Sequence, residues 1–240
     1  MLNIVKNLTA VNRTVKDSRF INYIVIHWVG SVSTAKNNSL YFKNINRNAS
    51  AHYFVDDISI YQVVEDKNVA WHCGGNRLLS GGGTYHTICT NSNSLGIEMC
   101  LDTVGHVSDM TIQNTAELVQ YLMNKYSIST NNVIRHYDVT GKQCPGAYIK
   151  EERWEWLKSV LIGAANPYIR PAKTLKKGSK GQEVQWVQWQ LSHAGYPLVI
   201  DGIFGIKTEK MVAAFQNETG LKVASGVVGP KTRYALEQQD

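Results

Sequence analysis

Short apolar runs and longer stretches with three-and-four spacing alternate over the first two thirds of the chain. Tyr23–Trp28, Ala51–Val55, Ser59–Val64, Leu95–Leu101 and Val133–His136 are short and rich in β-branched and aromatic residues, so they read as strands. Asp56 and Asp57 separate the second run from the third, as a hairpin turn would. Helices are expected over about Thr34–Ile45, Thr111–Tyr126 and Glu151–Ile162. In the middle one, Ala116, Val119, Met123 and Tyr126 form an apolar stripe, with Thr111 as the N-cap. The mixture predicts an α/β domain over residues 1–162, a mixed central sheet flanked by helices and large enough for a core of its own.

The pattern changes at Gly163–Lys173, where a glycine, two prolines and small residues read as a short, semi-rigid linker. Beyond it, residues 174–240 hold a near-repeat. Asp201-Gly202-Ile203-Phe204-Gly205-Ile206-Lys207-Thr208 returns as Ser225-Gly226-Val227-Val228-Gly229-Pro230-Lys231-Thr232. Each copy is a glycine-punctuated turn running into a threonine placed to cap a helix. With a further helix over about Glu183–Ala194, stopping at Gly195, this predicts a small all-α domain of three helices.

Composition narrows the function classes. The chain is 43% hydrophobic and 18% charged, an ordinary globular balance, and no apolar run approaches the roughly 20 residues that span a bilayer. Lys6, Arg13, Lys16, Asp17 and Arg19 interrupt the N-terminal stretch, which therefore does not resemble a signal peptide and suggests synthesis in a cytoplasm. The net charge of +6 suits a polyanionic partner such as nucleic acid or an anionic wall. No concentrated Lys/Arg run or nucleic-acid motif accompanies it, so neither nucleic-acid binding nor membrane insertion is expected. Nothing in the sequence fixes the oligomeric state; a monomer is the default.

The candidate chemistry sits at strand ends. His27 follows Tyr23-Ile24-Val25-Ile26, and His136 follows Val133-Ile134-Arg135, with Cys144-Pro145-Gly146 downstream. A lone strand-end histidine is more often packed or solvated. Two imidazoles and one thiolate brought together would instead supply three zinc ligands and leave the fourth position open, the layout of a catalytic site. With Cys144 so used, Cys73, Cys89 and Cys100 remain, an odd number that suits free thiols. Glu98, alone in the apolar run Leu95–Leu101, is either exposed on one face or functional.

Taken together, Ile26-His27-Trp28, Ser50–Asp56, Ala70–Gly74, Ser94–Glu98 and His136–Gly146 resemble the zinc-dependent N-acetylmuramoyl-L-alanine amidases of the phage-lysozyme and peptidoglycan-recognition-protein superfamily. Leu175–Gly181, Asp201–Gly205, Phe215-Gln216 and Gly226–Pro230 resemble the three-helix peptidoglycan-binding module. The two resemblances name one substrate, bacterial peptidoglycan. They imply Zn2+ on His27, His136 and Cys144, where the ion would polarise the amide carbonyl and lower the pKa of a water toward about 7. They imply Glu98 as general base and Lys142 beside the metal, stabilising the oxyanion. His52, Trp71 and His72 are expected to line the substrate groove. His52 and Tyr53 point to opposite faces of their strand, so only one can face the cleft, and His52 is favoured. Retention of all three ligands speaks against a catalytically silent recognition protein, and the lack of His-Glu-x-x-His against a zinc endopeptidase. The combination suggests a phage endolysin released to the wall by a holin; a host or prophage autolysin would share the activity.

Overall fold

The computed structural model describes residues 3–74, 77–164, 166, 168–196, 198–221 and 224–238. The chain divides into two compact units, Met1–Ala164 and Ala165–Asp240. Among the described residues no helix is long and apolar enough to cross a membrane, and all four cysteines are free thiols.

The first unit is built on six strands: β1 (Ile4–Lys6), β2 (Tyr23–Val32), β3 (Tyr53–Val55), β4 (Ile60–Gln62), β5 (Ser94–Leu101) and β6 (Val133–Arg135). They lie in the order β1-β4-β3-β5-β2-β6. Every pair is parallel except the β3–β4 hairpin. Helices α1 (Ala35–Tyr41), α2 (Asp109–Tyr126), α3 (His136–Thr140) and α4 (Glu151–Leu161) complete the unit.

Alternation along β2 decides what each face does. Ile24 and Ile26 join Leu95, Ile97 and Met99 of β5 in the main core, together with Leu118, Val119 and Leu122 of α2 and Trp154 and Leu157 of α4. Val25 and His27 point to the other face. There Val25 packs with Cys73, Cys89, Ile134 and Val139, while Phe54, Ala35 and Cys100 form a separate cluster around α1. A β-strand turns successive residues to opposite faces, so one five-residue run supplies both a core wall and a functional face.

One polar knot ties β3 and β4 to α2. Buried Asp66 accepts from Tyr53 Oη at 2.5 Å and Gln62 Nε2 at 3.0 Å on one oxygen, and from Lys125 Nζ at 2.9 Å and Tyr126 Oη at 2.6 Å on the other. Asp66→Ala would leave the buried Tyr53 hydroxyl without its acceptor, while Gln62 Nε2 keeps Tyr53 Oη at 3.1 Å. It is expected to cost the first unit about 2–4 kcal/mol in urea denaturation; a loss below about 1 kcal/mol would reduce Asp66 to a solvated charge.

The second unit has α5 (Gln182–His193), α6 (Ile206–Glu218) and α7 (Pro230–Glu237) around Val184, Val187, Leu191, Phe204, Val212, Phe215, Val228 and Leu236. Thr208 and Thr232 are not the caps expected from the repeat. Gly205 and Gly229 occupy those positions, and each threonine is buried inside the first turn. Two buried glutamines explain why. Gln188 Nε2 bonds the Ile203 carbonyl at 3.1 Å and Thr208 Oγ1 at 3.3 Å while its Oε1 accepts from Gly202 N–H. Gln216 repeats this with the Val227 carbonyl, Thr232 and Gly226. Each turn is thus clasped by one amide whose donor and acceptor ends are both used, which removes the penalty for burying it.

Candidate active site

Register brings the reactive groups together. In the β2–β5 pair His27 lies opposite Glu98, so both side chains emerge on the same face. In the β2–β6 pair Ile26 lies opposite Arg135, which puts His136 beside His27. His136 is not the last strand residue, as expected, but the first of α3. Arg135 N–H donates to Asp138 Oδ2 at 2.7 Å, and its guanidinium grips the same carboxylate, so the chain turns into helix at that point. Gly141 closes α3 with a φ of 75°; a Cβ there would come within 2.4 Å of the Leu79 carbonyl. The chain then returns, and Tyr137 N–H bonds the Cys144 carbonyl at 2.9 Å. Gly146 lies against the Trp28 ring, where a Cβ would sit 2.1 Å from a ring carbon. The glycine of the Cys-Pro-Gly run is therefore required by the tryptophan that follows His27.

The donor atoms of His27, His136 and Cys144 all lie within 4.8 Å of one another, and all three residues are buried. Cys144 Sγ is 3.7 Å from His27 Nδ1. Both ring nitrogens of His136 are buried, with no hydrogen-bond partner among the described residues; the Cys73 backbone lies near without meeting hydrogen-bond geometry. Burial, reinforced by His136, holds His27 well below the usual histidine range. Burial and the nearby Lys142 charge bring His136 down to about 4. Both rings are therefore neutral at pH 7, with lone pairs available. Burial pushes the Cys144 thiol up to about 12, against a backbone hydrogen bond from Trp28 and the charge of Lys142.

Glu98 is partly accessible, but its Oε2 is shielded and has no hydrogen-bond partner among the described residues. Burial raises its pKa to about 7, opposed by Lys142 and His72. Lys142 itself is exposed at the mouth, where its charge reaches Glu98, His27, His136 and Cys144.

Three residues expected in the groove are placed differently from one another. His52 has no exposed surface. Its Nδ1 accepts from Gly96 N–H at 3.0 Å, and its Nε2 meets the Asn68 carbonyl at 3.2 Å and Arg19 Nη2 at 2.8 Å. His52 does share the face of His27, as alternation required, but Arg19 and the segment around Asn68 cover it, so it forms no wall of the cleft here. Tyr53 points to the opposite face and serves Asp66. Trp71 is half-buried, pinned by Nε1 to Thr14 Oγ1 at 3.0 Å. It lines a cavity of about 400 Å3 with Cys73, Gly74, Thr90 and Asn91, and Gly74 lies against His136, where a Cβ would come within 3.4 Å of Nε2. His72 is 7% exposed and lies against His27, its Nδ1 3.1 Å from His27 Nε2. Sequence reasoning missed that pairing. The one available signal was Gly96, a glycine inside an apolar strand, which marks a close approach by another group.

Comparison with known proteins fits this geometry. Residues 17–147 match the N-acetylmuramoyl-L-alanine amidase family model, more than half of the chain. The chain belongs to the N-acetylmuramoyl-L-alanine amidase family. Residues 180–236 match the peptidoglycan binding domain family. The amidase is 32% identical over 263 residues to the N-acetylmuramoyl-L-alanine amidase CwlL of Bacillus licheniformis, a match covering 98% of this chain and 72% of that protein. It is 27% identical to CwlA of Bacillus subtilis, covering 92% of each. Among solved structures, a mutant endolysin from Bacillus subtilis superimposes with a TM-score of 0.56 at 28% identity, covering 68% of this chain and 100% of that one. The protein is thus a peptidoglycan amidase that cleaves the amide between N-acetylmuramic acid and the first L-alanine of the stem peptide, and peptidoglycan is its substrate.

The buried cluster fits a metal. Tetrahedral zinc with nitrogen at about 2.0 Å and sulfur at about 2.3 Å would hold the two donors about 3.5 Å apart, close to the 3.7 Å between Cys144 Sγ and His27 Nδ1. Unpaired buried imidazole nitrogens of the kind His136 carries are rare unless a ligand satisfies them. Two imidazoles and a thiolate also suit a borderline-soft ion better than a hard one.

Proposed function

We propose that the amidase holds one zinc ion on His27, His136 and Cys144, and that Glu98 and Lys142 carry the proton and charge transfers of amide hydrolysis. The observation that carries this reading is the buried convergence of the three donors with His136 unpaired. Bound zinc would supply Lewis acidity toward the scissile carbonyl and acidify a water. Glu98, on the same face as His27, is placed to take a proton from the attacking water. With a pKa of about 7 it is ionised enough to accept that proton and acidic enough to return it. It then passes the proton to the amide nitrogen as the C–N bond breaks, releasing the L-alanine amine. The Lys142 ammonium at the mouth offsets the negative charge that develops on the carbonyl oxygen.

The second unit acts as the wall anchor. Its match to peptidoglycan binding domains and its separate core support this division. Holding the catalytic unit near an insoluble polymer raises its effective concentration there. Similarity to a Bacillus subtilis endolysin supports a wall-lytic role, as a phage endolysin or as a host or prophage autolysin.

Digestion of purified peptidoglycan tests the reaction: mass spectrometry should find a new N-terminal alanine. A new terminus further along the stem would make the enzyme an endopeptidase, and no cleavage would make it a recognition protein. A fragment from Lys173 to Asp240 is expected to sediment with wall and cleave nothing. If it stays folded by circular dichroism yet fails to bind, the anchoring role is wrong.

A further inference from the structure

We propose that His72 is a positioning residue that fixes the tautomer of His27, and that the Thr90 carbonyl sets this choice through Ser94. The inference rests on reading His27 as a metal ligand. The chain of contacts runs from His27 Nε2 to His72 Nδ1 at 3.1 Å, from His72 Nε2 to Ser94 Oγ at 3.2 Å, and from Ser94 Oγ to the Thr90 carbonyl at 2.5 Å.

With His72 neutral, only one direction of donation satisfies all three contacts. A carbonyl cannot donate, so the Ser94 hydroxyl hydrogen goes to Thr90. Ser94 Oγ can then only accept, so His72 carries its proton on Nε2 and leaves Nδ1 bare. His72 Nδ1 must accept from His27, so His27 carries its proton on Nε2. The lone pair of His27 is left on Nδ1, the nitrogen that faces Cys144 Sγ. A ligating histidine whose second nitrogen is held in this way has both its tautomer and its ring plane set before the metal arrives. The Cys73 thiol approaches the same His72 nitrogen at 3.4 Å, as a weaker donor than an imidazole N–H.

His72 is itself closely held. Its backbone N–H and that of Cys73 both donate to Asn91 Oδ1, at 2.9 and 2.7 Å. Its ring lies on Gly96, where a Cβ would fall 2.5 Å from the imidazole Cγ. The His52 ring packs edge-on against it, with centroids 5.6 Å apart. This gives the buried His52 a purpose: it backs His72 rather than meeting substrate.

The test uses the full chain. His72→Phe keeps a ring in the space and removes the acceptor, His72→Asn restores an acceptor near the Nδ1 position, and Ser94→Ala removes the link to Thr90. Zinc affinity is read by competition with a chromophoric chelator, alongside the melting temperature of the metal-free protein and kcat and KM on a soluble muropeptide. His72→Phe should weaken zinc binding about 10–100-fold, with metal-free melting little changed. His72→Asn should recover most of that loss, and Ser94→Ala should shift affinity in the same direction by less. Wild-type zinc affinity in His72→Phe with a raised KM would overturn the proposal and return His72 to the substrate groove. Equal losses in the Phe and Asn variants with a lowered metal-free melting temperature would reduce His72 to packing. If His72→Phe does not fold, unchanged zinc affinity in Ser94→Ala overturns the proposal by itself. Wild-type zinc affinity in His27→Ala would instead mean that the metal reading has failed, a distinct result.

Discussion

Stripping the metal with a chelator is expected to abolish lysis of purified wall, and added zinc to restore it. Amides are poor electrophiles and water at neutral pH is a poor nucleophile; of the groups gathered at this site, only a bound ion answers both problems at once. The metal-free protein should keep its fold, because the main core of the first unit lies on the opposite face of the sheet. It should melt lower, since a ligand at 100 times its Kd stabilises by about 2.7 kcal/mol through mass action. His27→Ala should lose zinc and activity together, with one zinc per chain measured in the parent protein. Full activity after verified removal of the metal would sink the assignment.

Much of this site was legible because its chemistry sits where apolar runs end. His27, His136 and Cys144 were nameable from local sequence alone, and Glu98 stood out as a charge in an otherwise apolar strand. The hidden part depended on pairing between segments far apart in the chain. Nothing local to Ile26 or Arg135 says that they are register partners, yet that pairing sets His136 beside His27. The turn into α3 was missed because Arg135 and Asp138 look like ordinary charges until the backbone at Arg135 donates to the carboxylate. Alternation correctly placed His52 and Tyr53 on opposite faces, but it carries no information on what lies above each face. Arg19 and Asn68, distant in sequence, cover His52. The start of α2 was read two residues late for a related reason, whereas Thr34 does cap α1 and α4 does begin at Glu151. Thr111 looked like a cap, but Ser108 holds that position and accepts from Thr111 N–H at 3.1 Å. In the module, Thr208 and Thr232 were bound to buried glutamines that no periodicity marks.

Glu98→Gln should separate proton transfer from metal binding. The amide keeps the size of the carboxylate and occupies the same place opposite His27, so packing on the strand changes little. What it loses is the ability to take a proton. Positioned general-base catalysis is typically worth about 10²–10⁴ in rate, so turnover on a soluble muropeptide should fall at least about a hundredfold. Zinc content should stay at the parental level, because Glu98 is not among the three converging donors. KM should change less than kcat, since the lost interaction belongs to the transition state rather than to ground-state binding. A loss of only a few fold would return Glu98 to a merely exposed strand residue and leave the proton without an acceptor among the groups named here. Loss of zinc along with activity would show instead that the carboxylate helps hold the ion, since its shielded Oε2 has no hydrogen-bond partner among the described residues.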